Sequence, residues 1–276
     1  MLMQRVLTSI VMLSIILGAV FALPAKLFYL FIGLIISVGI WEWVSLAGLK
    51  SLPSKCLYLL FMMGLMFATL HAPLPVSSIF VAGIGFWLVA FFLICAYSGI
   101  QVSGSKQLVL ALAGLPLFIP GWIAFTWLRD QEYFAFHLLS LLALVAAADI
   151  GAYFSGRAFG KRKLAPRVSP NKTWEGFIGG LLSSAIVISL ITLILISRVS
   201  MLDAGKWLIL IACAMLIASF SVIGDLFESM IKRNRDVKDS GSILPGHGGI
   251  LDRVDGLTAA APVYALLLLF LAPLFN

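Results

Sequence analysis

Long apolar runs recur from one end of this chain to the other, and they constrain its fold more than any other feature. Of 276 residues, 62% are hydrophobic and 11% are charged. Soluble domains carry about 25% charged residues, so an ordinary globular protein is excluded. A helix needs about 20 mostly apolar residues to cross a bilayer, and the runs lack the alternation of β-barrel strands. The sequence therefore predicts an all-α polytopic integral membrane protein.

Nine of these runs are candidates for transmembrane helices. They cover about residues 6–23, 27–46, 56–71, 77–97, 107–128, 133–153, 176–197, 207–228 and 256–275. Pro116 and Pro120 fall within the fifth run, where they predict a helix that is kinked or split into two halves.

The placement of the positive residues predicts the orientation of the chain. With nine spans and a cytoplasmic N-terminus, all but four of the nineteen Lys and Arg residues fall on cytoplasmic segments. The four exceptions are Lys26, Arg129, Arg198 and Lys206. Because cytoplasmic loops retain positive charge, we expect the polar loops at about 154–175 and 229–255 to face the cytoplasm.

The second of these loops is the most polar part of the chain. Lys232, Arg233, Arg235 and Lys238 supply donors for phosphate oxygens, although a positive-inside signal alone also explains a basic cluster. The run Pro245-Gly246-His247-Gly248-Gly249 follows, and its glycines allow backbone N–H groups to approach an anion closely. Together the two features favour a phosphate site.

Carboxylates flank this loop in two pairs. Asp225 and Glu228 end the eighth span, and Asp252 and Asp255 begin the ninth, each pair on one helix face. Hard oxygen ligands completed by substrate phosphates are typical of a Mg²⁺ site, although acids at a helix start also complement its dipole. Asp149, near the end of the sixth span, either joins these acids or pairs with a lysine.

Two further segments bear on this prediction. Ser169 and Pro170, in the run SPNKTWEG, predict the start of the seventh helix. Its free N–H groups and Lys172 favour an anion, and a plain capped helix is the alternative. Glu42 stands between two tryptophans, and we interpret it as an acid at the membrane interface.

The segment 229–255 resembles the signature of the phosphatidate cytidylyltransferases, also called CDP-diacylglycerol synthases. The matching pattern is SxIKRx₄KDxGx₂LPxHGGx₂DRxD, without a departure. The run SPNKTWEG and the approach from Gly224 to Ser229 are similar to the same family. The resemblance is strong over about residues 145–262, whereas the N-terminal half matches only in hydropathy.

This resemblance implies transfer of a cytidylyl group from CTP to phosphatidic acid, giving CDP-diacylglycerol and pyrophosphate in phospholipid biosynthesis. It implies Mg²⁺ as cofactor, with a second cation left open, and a site at the inner membrane. We expect CTP, phosphatidic acid and the bilayer as partners, without nucleic acid, and leave a homodimer open. Residues 1–130 would form an N-terminal region of about five spans, and residues 131–276 the catalytic region.

The resemblance also implies roles for individual residues. The catalytic set is Lys232, Arg233, Lys238, Asp239, His247 and Arg253. The substrate-binding set is Ser169, Lys172, Thr173, Gly246, Gly248 and Gly249. The metal-binding set is Asp149, Asp225, Glu228, Asp252 and Asp255.

Two other functions remain open from the sequence. A CTP-dependent lipid kinase would need a base to deprotonate an alcohol, for which Asp239 or His247 is available. A phosphate or nucleotide transporter is the alternative from another class, with the two prolines marking a broken helix. The clustering of charge at one membrane face argues against the transporter.

Overall fold

The computed structural model describes residues 2–72, 75–98, 107–196 and 203–271. Within these residues nine α-helices follow one another, and a two-stranded hairpin stands between the sixth and the seventh. The helices are α1 Leu2–Ala22, α2 Ala25–Ala47, α3 Leu52–Thr69, α4 Val76–Cys95, α5 Gln107–Arg129, α6 Phe134–Phe159, α7 Trp174–Ile196, α8 Ala204–Asn234 and α9 Leu251–Leu271. The strands are β1 Lys163–Ala165 and β2 Ser169–Thr173.

The helices have the length and composition that a bilayer requires. Among the described residues, α2 to α9 are each long and apolar enough to cross a membrane, and α1 adds a shorter apolar segment, Val6–Ala22. Many large apolar side chains remain exposed on the outer faces of these helices, as in Leu34, Phe92 and Ile194. Such exposure is expected where lipid replaces water. The predicted all-α multi-pass membrane fold is confirmed.

The ends of the helices differ from the prediction where the polar loops begin. α8 continues to Asn234 and α9 starts at Leu251. The predicted loop 229–255 is therefore reduced to residues 235–250, called here the α8–α9 linker. Lys232 and Arg233 thus belong to the last turn of α8, and Asp252 to the first turn of α9.

Of the two outcomes predicted for the fifth helix, the split is excluded, because α5 passes through both prolines without interruption. Neighbouring helices supply hydrogen-bond donors in the turn before Pro116. Trp43 Nε1 donates to the carbonyl oxygen of Leu110 at 3.0 Å, and Tyr58 donates to that of Ala111 at 2.6 Å. These two bonds fasten α5 to α2 and α3 just before the first proline.

Small residues bring α8 and α9 into close contact. A side chain at Gly224 would collide with the carbonyl oxygen of Asp255, and one at Gly256 would collide with Ser221. Lipid tails are as apolar as helix side chains, so the hydrophobic effect does not drive helices together within a membrane. Their association depends instead on close packing, which small residues allow. The contact fixes the carboxylate-bearing end of α8 against the first turns of α9.

The start of the seventh helix differs from the prediction. Ser169 and Pro170 do not begin a helix but lie in β2, which pairs antiparallel with β1. α7 begins only at Trp174, and Thr173 caps it by accepting a 3.1 Å hydrogen bond from the Gly176 N–H group. The strand pairing satisfies backbone groups that a helix starting at Ser169 would have taken.

Candidate active site

A buried ion pair joins the end of α8 to the start of α9. Lys232 Nζ lies 2.5 Å from Asp252 Oδ1 and 3.4 Å from Glu228 Oε1. The side chains of these three residues are between 3% and 11% exposed. Buried charges are tolerated when they are paired and hydrogen-bonded, so this cluster fixes the relative position of the two helices.

Asp252 also organises the α8–α9 linker. Its Oδ2 atom accepts hydrogen bonds from the backbone N–H and the hydroxyl of Ser240, at 2.9 and 3.0 Å. It accepts a third, at 2.8 Å, from the N–H group of Gly249. With Lys232 on the other oxygen, both carboxylate oxygens are already engaged within the protein.

Glu42 of α2 holds the same linker from the opposite side, a role that its interpretation as an interfacial acid did not include. Its side chain is buried and accepts hydrogen bonds from the N–H groups of Ile250 at 3.2 Å and Leu251 at 2.8 Å. It also accepts one from Ser240 Oγ at 3.1 Å. A side chain at Gly241 or Gly249 would collide with this carboxylate. An ionisable residue inside an apolar run is a functional candidate, and this signal was available in the sequence.

Two arginines tie the linker region to other parts of the molecule. Arg235 donates to the carbonyl oxygens of Leu46 and Ala47, at 2.7 and 2.6 Å, and so caps the C-terminal end of α2. Arg233 Nε donates to the Val168 carbonyl oxygen in the hairpin at 3.3 Å. The sequence assigned Arg233 to catalysis, whereas here it connects α8 to the hairpin.

A tight turn within the linker presents His247. Leu244 and Gly248 form an isolated antiparallel bridge, and the His247 N–H group donates to the Leu244 carbonyl oxygen at 3.0 Å. Gly246 and Gly248 have φ values of 75° and 82°, a left-handed conformation that glycine adopts without strain. Arg253 holds the turn by donating to the His247 carbonyl oxygen at 3.0 Å. Residues 244–248 are called the glycine turn below.

A polar cavity of about 660 Å³ opens beside the glycine turn. Its lining includes Lys238, Asp239, Gly246, His247, Gly248 and Arg253. Two of these side chains are cationic and one is acidic, and glycine exposes backbone N–H groups without hindrance. This combination suits an anionic ligand with several oxygens.

A second polar cluster is accessible from outside. Lys172 of β2 lies 2.6 Å from Asp225 Oδ2 of α8, and the two side chains are 27% and 36% exposed. Ser229 donates to Asp225 Oδ1 at 3.3 Å. Asp149 of α6 is exposed, and Asp225 and Lys172 lie near enough for their charges to act on its carboxyl group. We call Lys172, Asp225 and Asp149 the open centre.

The carboxylates predicted to hold a metal therefore fall into two environments. Asp252 and Glu228 are buried around Lys232, whereas Asp225 and Asp149 remain accessible, with Asp255 in electrostatic contact with Asp225. No group of three or more His, Cys, Asp or Glu side chains in the described ranges has the arrangement of a ready-made metal site. A cation would thus need oxygens from the substrate to complete its shell, as Mg²⁺ sites commonly do.

The remaining predicted residues serve local structure. Thr173 is buried and engaged as the cap of α7, and Ser169 is half-buried in β2. The Gly249 N–H group is engaged with Asp252. Substrate contacts by these three residues stay predictions.

Comparison with known proteins identifies the family of this chain. The model of the cytidylyltransferase family matches residues 3–271. A phosphatidate cytidylyltransferase of Pseudomonas aeruginosa is 41% identical over 269 residues, covering 97% of each chain. One of Haemophilus influenzae is 38% identical, covering 96% of this chain and 98% of its own. A Bacillus subtilis protein of the same name is 44% identical over 141 residues, about half of each chain. The match extends over nearly all of the sequence, from α1 to α9, and the chain belongs to the cytidylyltransferase family.

Proposed function

We propose that this protein transfers the cytidylyl group of CTP to phosphatidic acid, releasing pyrophosphate and forming CDP-diacylglycerol. The observation that carries the proposal is the polar cavity beside the first turn of α9, which Lys238, His247 and Arg253 line. α9 packs against α8 where Gly224 meets the carbonyl oxygen of Asp255, so the cavity and the carboxylates of Asp225 and Asp255 lie at the same end of the helix pair. The relatives named phosphatidate cytidylyltransferase support the choice of substrates.

The reaction makes modest demands on acid–base chemistry. An oxygen of the phosphatidic acid phosphate attacks the α-phosphorus of CTP, and the bond from that phosphorus to the bridging β-phosphate oxygen breaks. The nucleophile is already an anion near neutral pH, so the main barrier is repulsion between two anions. Positioning and charge neutralisation then supply most of the catalysis. Lys172, Lys238 and Arg253 are the cations placed to do so.

Mg²⁺ is the proposed cofactor, because carboxylate oxygens are its usual protein ligands. Asp225 and Asp149 would hold it, with Asp255 nearby and phosphate oxygens completing the shell. When bound, it would neutralise charge on the triphosphate and on the departing pyrophosphate. The buried Asp252 and Glu228 would act by keeping Lys232 and the linker in place. Whether a second cation binds stays open.

The deciding experiment uses the purified protein with CTP labelled at the α-phosphorus, phosphatidic acid and Mg²⁺. We expect the label in the lipid phase, and no lipid label when CTP is labelled at the γ-position. Chelation of Mg²⁺ should stop the transfer, and its return should restore it. An absence of lipid label from α-labelled CTP with active, folded protein would refute the proposal.

The same experiment separates the alternatives. A lipid kinase would release CDP and place the γ-label in the lipid. A transporter would move CTP or phosphate into sealed vesicles without chemical conversion. The lining of the polar cavity comes from the α8–α9 linker and from Arg253 of α9, so the cavity is an open site on one linker and not a passage between membrane helices, which favours the transferase.

We further propose that this site faces the cytoplasm at the inner membrane, as the distribution of Lys and Arg predicts. A cysteine placed at Lys238, after serine replaces the three native cysteines, should react with an impermeant maleimide in inverted vesicles and not in intact cells. A cysteine at Glu132, between α5 and α6, should react from the opposite side. Reversed labelling would contradict the orientation. The homodimer stays a prediction.

A further inference from the structure

The first helix contacts the glycine turn through two adjacent hydroxyl groups. Thr8 Oγ1 lies 3.2 Å from the Pro245 carbonyl oxygen, and Ser9 Oγ lies 3.2 Å from His247 Nε2. The neighbouring side chains of α1, including Val6, Leu7 and Ile10, are exposed and apolar. The hydroxyls are therefore the polar groups by which this stretch of α1 meets the candidate site.

The hydrogen bond at Nε2 determines whether the other ring nitrogen of His247, Nδ1, carries a proton. A neutral imidazole donates at one nitrogen and accepts at the other. Within the described residues, Nδ1 of His247 is buried and has no hydrogen-bond partner. If the Ser9 hydroxyl donates to Nε2, the ring proton lies on Nδ1, and a buried N–H donor is left to be satisfied.

Nδ1 is covered in this structure, so an anion in the cavity would become the partner of that donor once binding turns the ring towards it. His247 is part of its lining, together with Lys238 and Arg253. An anion held by these two cations would bring an oxygen acceptor to the ring. A lone pair on Nδ1 would instead repel the anion. A donor at this position therefore agrees in sign with the other side chains around the cavity.

We propose that Ser9 is a positioning residue for His247, holding the ring with its proton on Nδ1 so that this N–H group donates to a phosphate oxygen of the nucleotide. The inference deepens the proposed function and rests on it. It assigns to the first helix, which lies outside the signature segment 229–255, an indirect part in nucleotide binding.

The kinetic test compares Ser9→Ala with Ser14→Ala, which removes an exposed hydroxyl from the same helix. We expect Ser9→Ala to lower kcat/KM for CTP about three- to tenfold, the loss of one neutral hydrogen bond. The KM of Ser9→Ala for phosphatidic acid should not change. Ser9→Thr keeps the hydroxyl group and should retain most of the wild-type kcat/KM, and Ser14→Ala should match the wild type. Equal effects of Ser9→Ala and Ser14→Ala would overturn the proposal.

A second comparison asks whether Ser9 acts through His247. In a His247→Ala background, Ser9→Ala should cause no further loss, because coupled residues are not additive. His247→Asn places an amide N–H near the position of Nδ1, and His247→Gln places it near Nε2. The Asn variant should therefore be the more active of the two. Additive losses, or a more active Gln variant, would contradict the assignment.

A spectroscopic test does not depend on turnover. In protein labelled with ¹⁵N-histidine, the neutral ring of His247 should carry its proton on Nδ1, and Ser9→Ala should shift the population towards Nε2–H. The chain has three histidines, so the signal that His247→Ala removes is the relevant one. An unchanged tautomer in an active Ser9→Ala variant would refute the role of Ser9. Absence of labelled lipid with every variant would instead refute the proposed function.

Discussion

Lys232 in α8 and Asp252 in α9 form a 2.5 Å ion pair that is almost closed to solvent, with Glu228 3.4 Å from the same ammonium group. The other oxygen of Asp252 receives hydrogen bonds from two points of the linker, Ser240 and Gly249. The charge pair between the helices and the fold of the linker therefore depend on one carboxylate.

Asp252→Asn should weaken both the ion pair with Lys232 and the hydrogen bonds that hold the linker. Loss of one partner of a buried ion pair costs about 3–5 kcal/mol of folding free energy, so the melting temperature should fall by several degrees. Because the linker that lines the cavity also loses its anchor, we expect turnover in the labelled-CTP assay to fall about 100-fold or more. Asp203→Asn, at the other end of α8, is the matched control, because Asn caps a helix as well as Asp. Near wild-type turnover of Asp252→Asn would contradict this role.

Glu42→Gln should loosen the α8–α9 linker without unfolding the helices. An amide offers one acceptor oxygen where the carboxylate offers two, so one of the three bonds to Ser240, Ile250 and Leu251 must be lost. An unsatisfied buried donor costs about 1–3 kcal/mol. Tryptic cleavage of the folded protein after Lys238 should accelerate by about tenfold or more. Glu132→Gln, on an exposed segment, is the control. Equal cleavage rates of the two variants would show that Glu42 does not hold the linker in place.

Lys172→Met should separate function from stability. The pair of Lys172 with Asp225 is partly exposed, so it contributes less than about 1 kcal/mol to folding. We expect the melting temperature to stay within a few degrees of the wild type. Turnover should fall about 10- to 100-fold, since a charge-assisted contact with a phosphate is lost. Lys163→Met, exposed in the same hairpin, should affect neither quantity. A large fall in melting temperature would point to a structural role for Lys172.

Gly224→Ala should destabilise the contact between α8 and α9. The added methyl group has no space beside the Asp255 carbonyl oxygen, and overpacking typically costs about 1–3 kcal/mol. Gly64→Ala in α3 meets no atom within 4 Å and should be neutral or slightly stabilising, because Ala favours helix. Thermal unfolding in detergent measures both. Equal melting temperatures would show that α9 moves aside at no cost.

Much of the site was predictable because its residues are close together in the sequence. The spacing of Lys238, His247 and Arg253 within one short segment is enough to place them around a common cavity. The carboxylates of Asp252 and Asp255 fall in one helical turn for the same reason. The predicted start of α7 was wrong although Ser169 and Pro170 form a good local helix signal. Pairing of β2 with β1 competes for the same backbone groups.

The sequence by itself determined the membrane-spanning helical fold, because a local run of about 20 apolar residues is enough for a helix to cross the bilayer. It also determined the family, through the fixed polar residues between Ser229 and Asp255. Tertiary structure decided which carboxylates remain accessible and which are buried in contacts with Lys232 and the linker. It also decided that Glu42 and Ser9, more than 190 residues away from the linker, hold it in place. Such contacts depend on how helices pack, and no local pattern in the sequence specifies that packing.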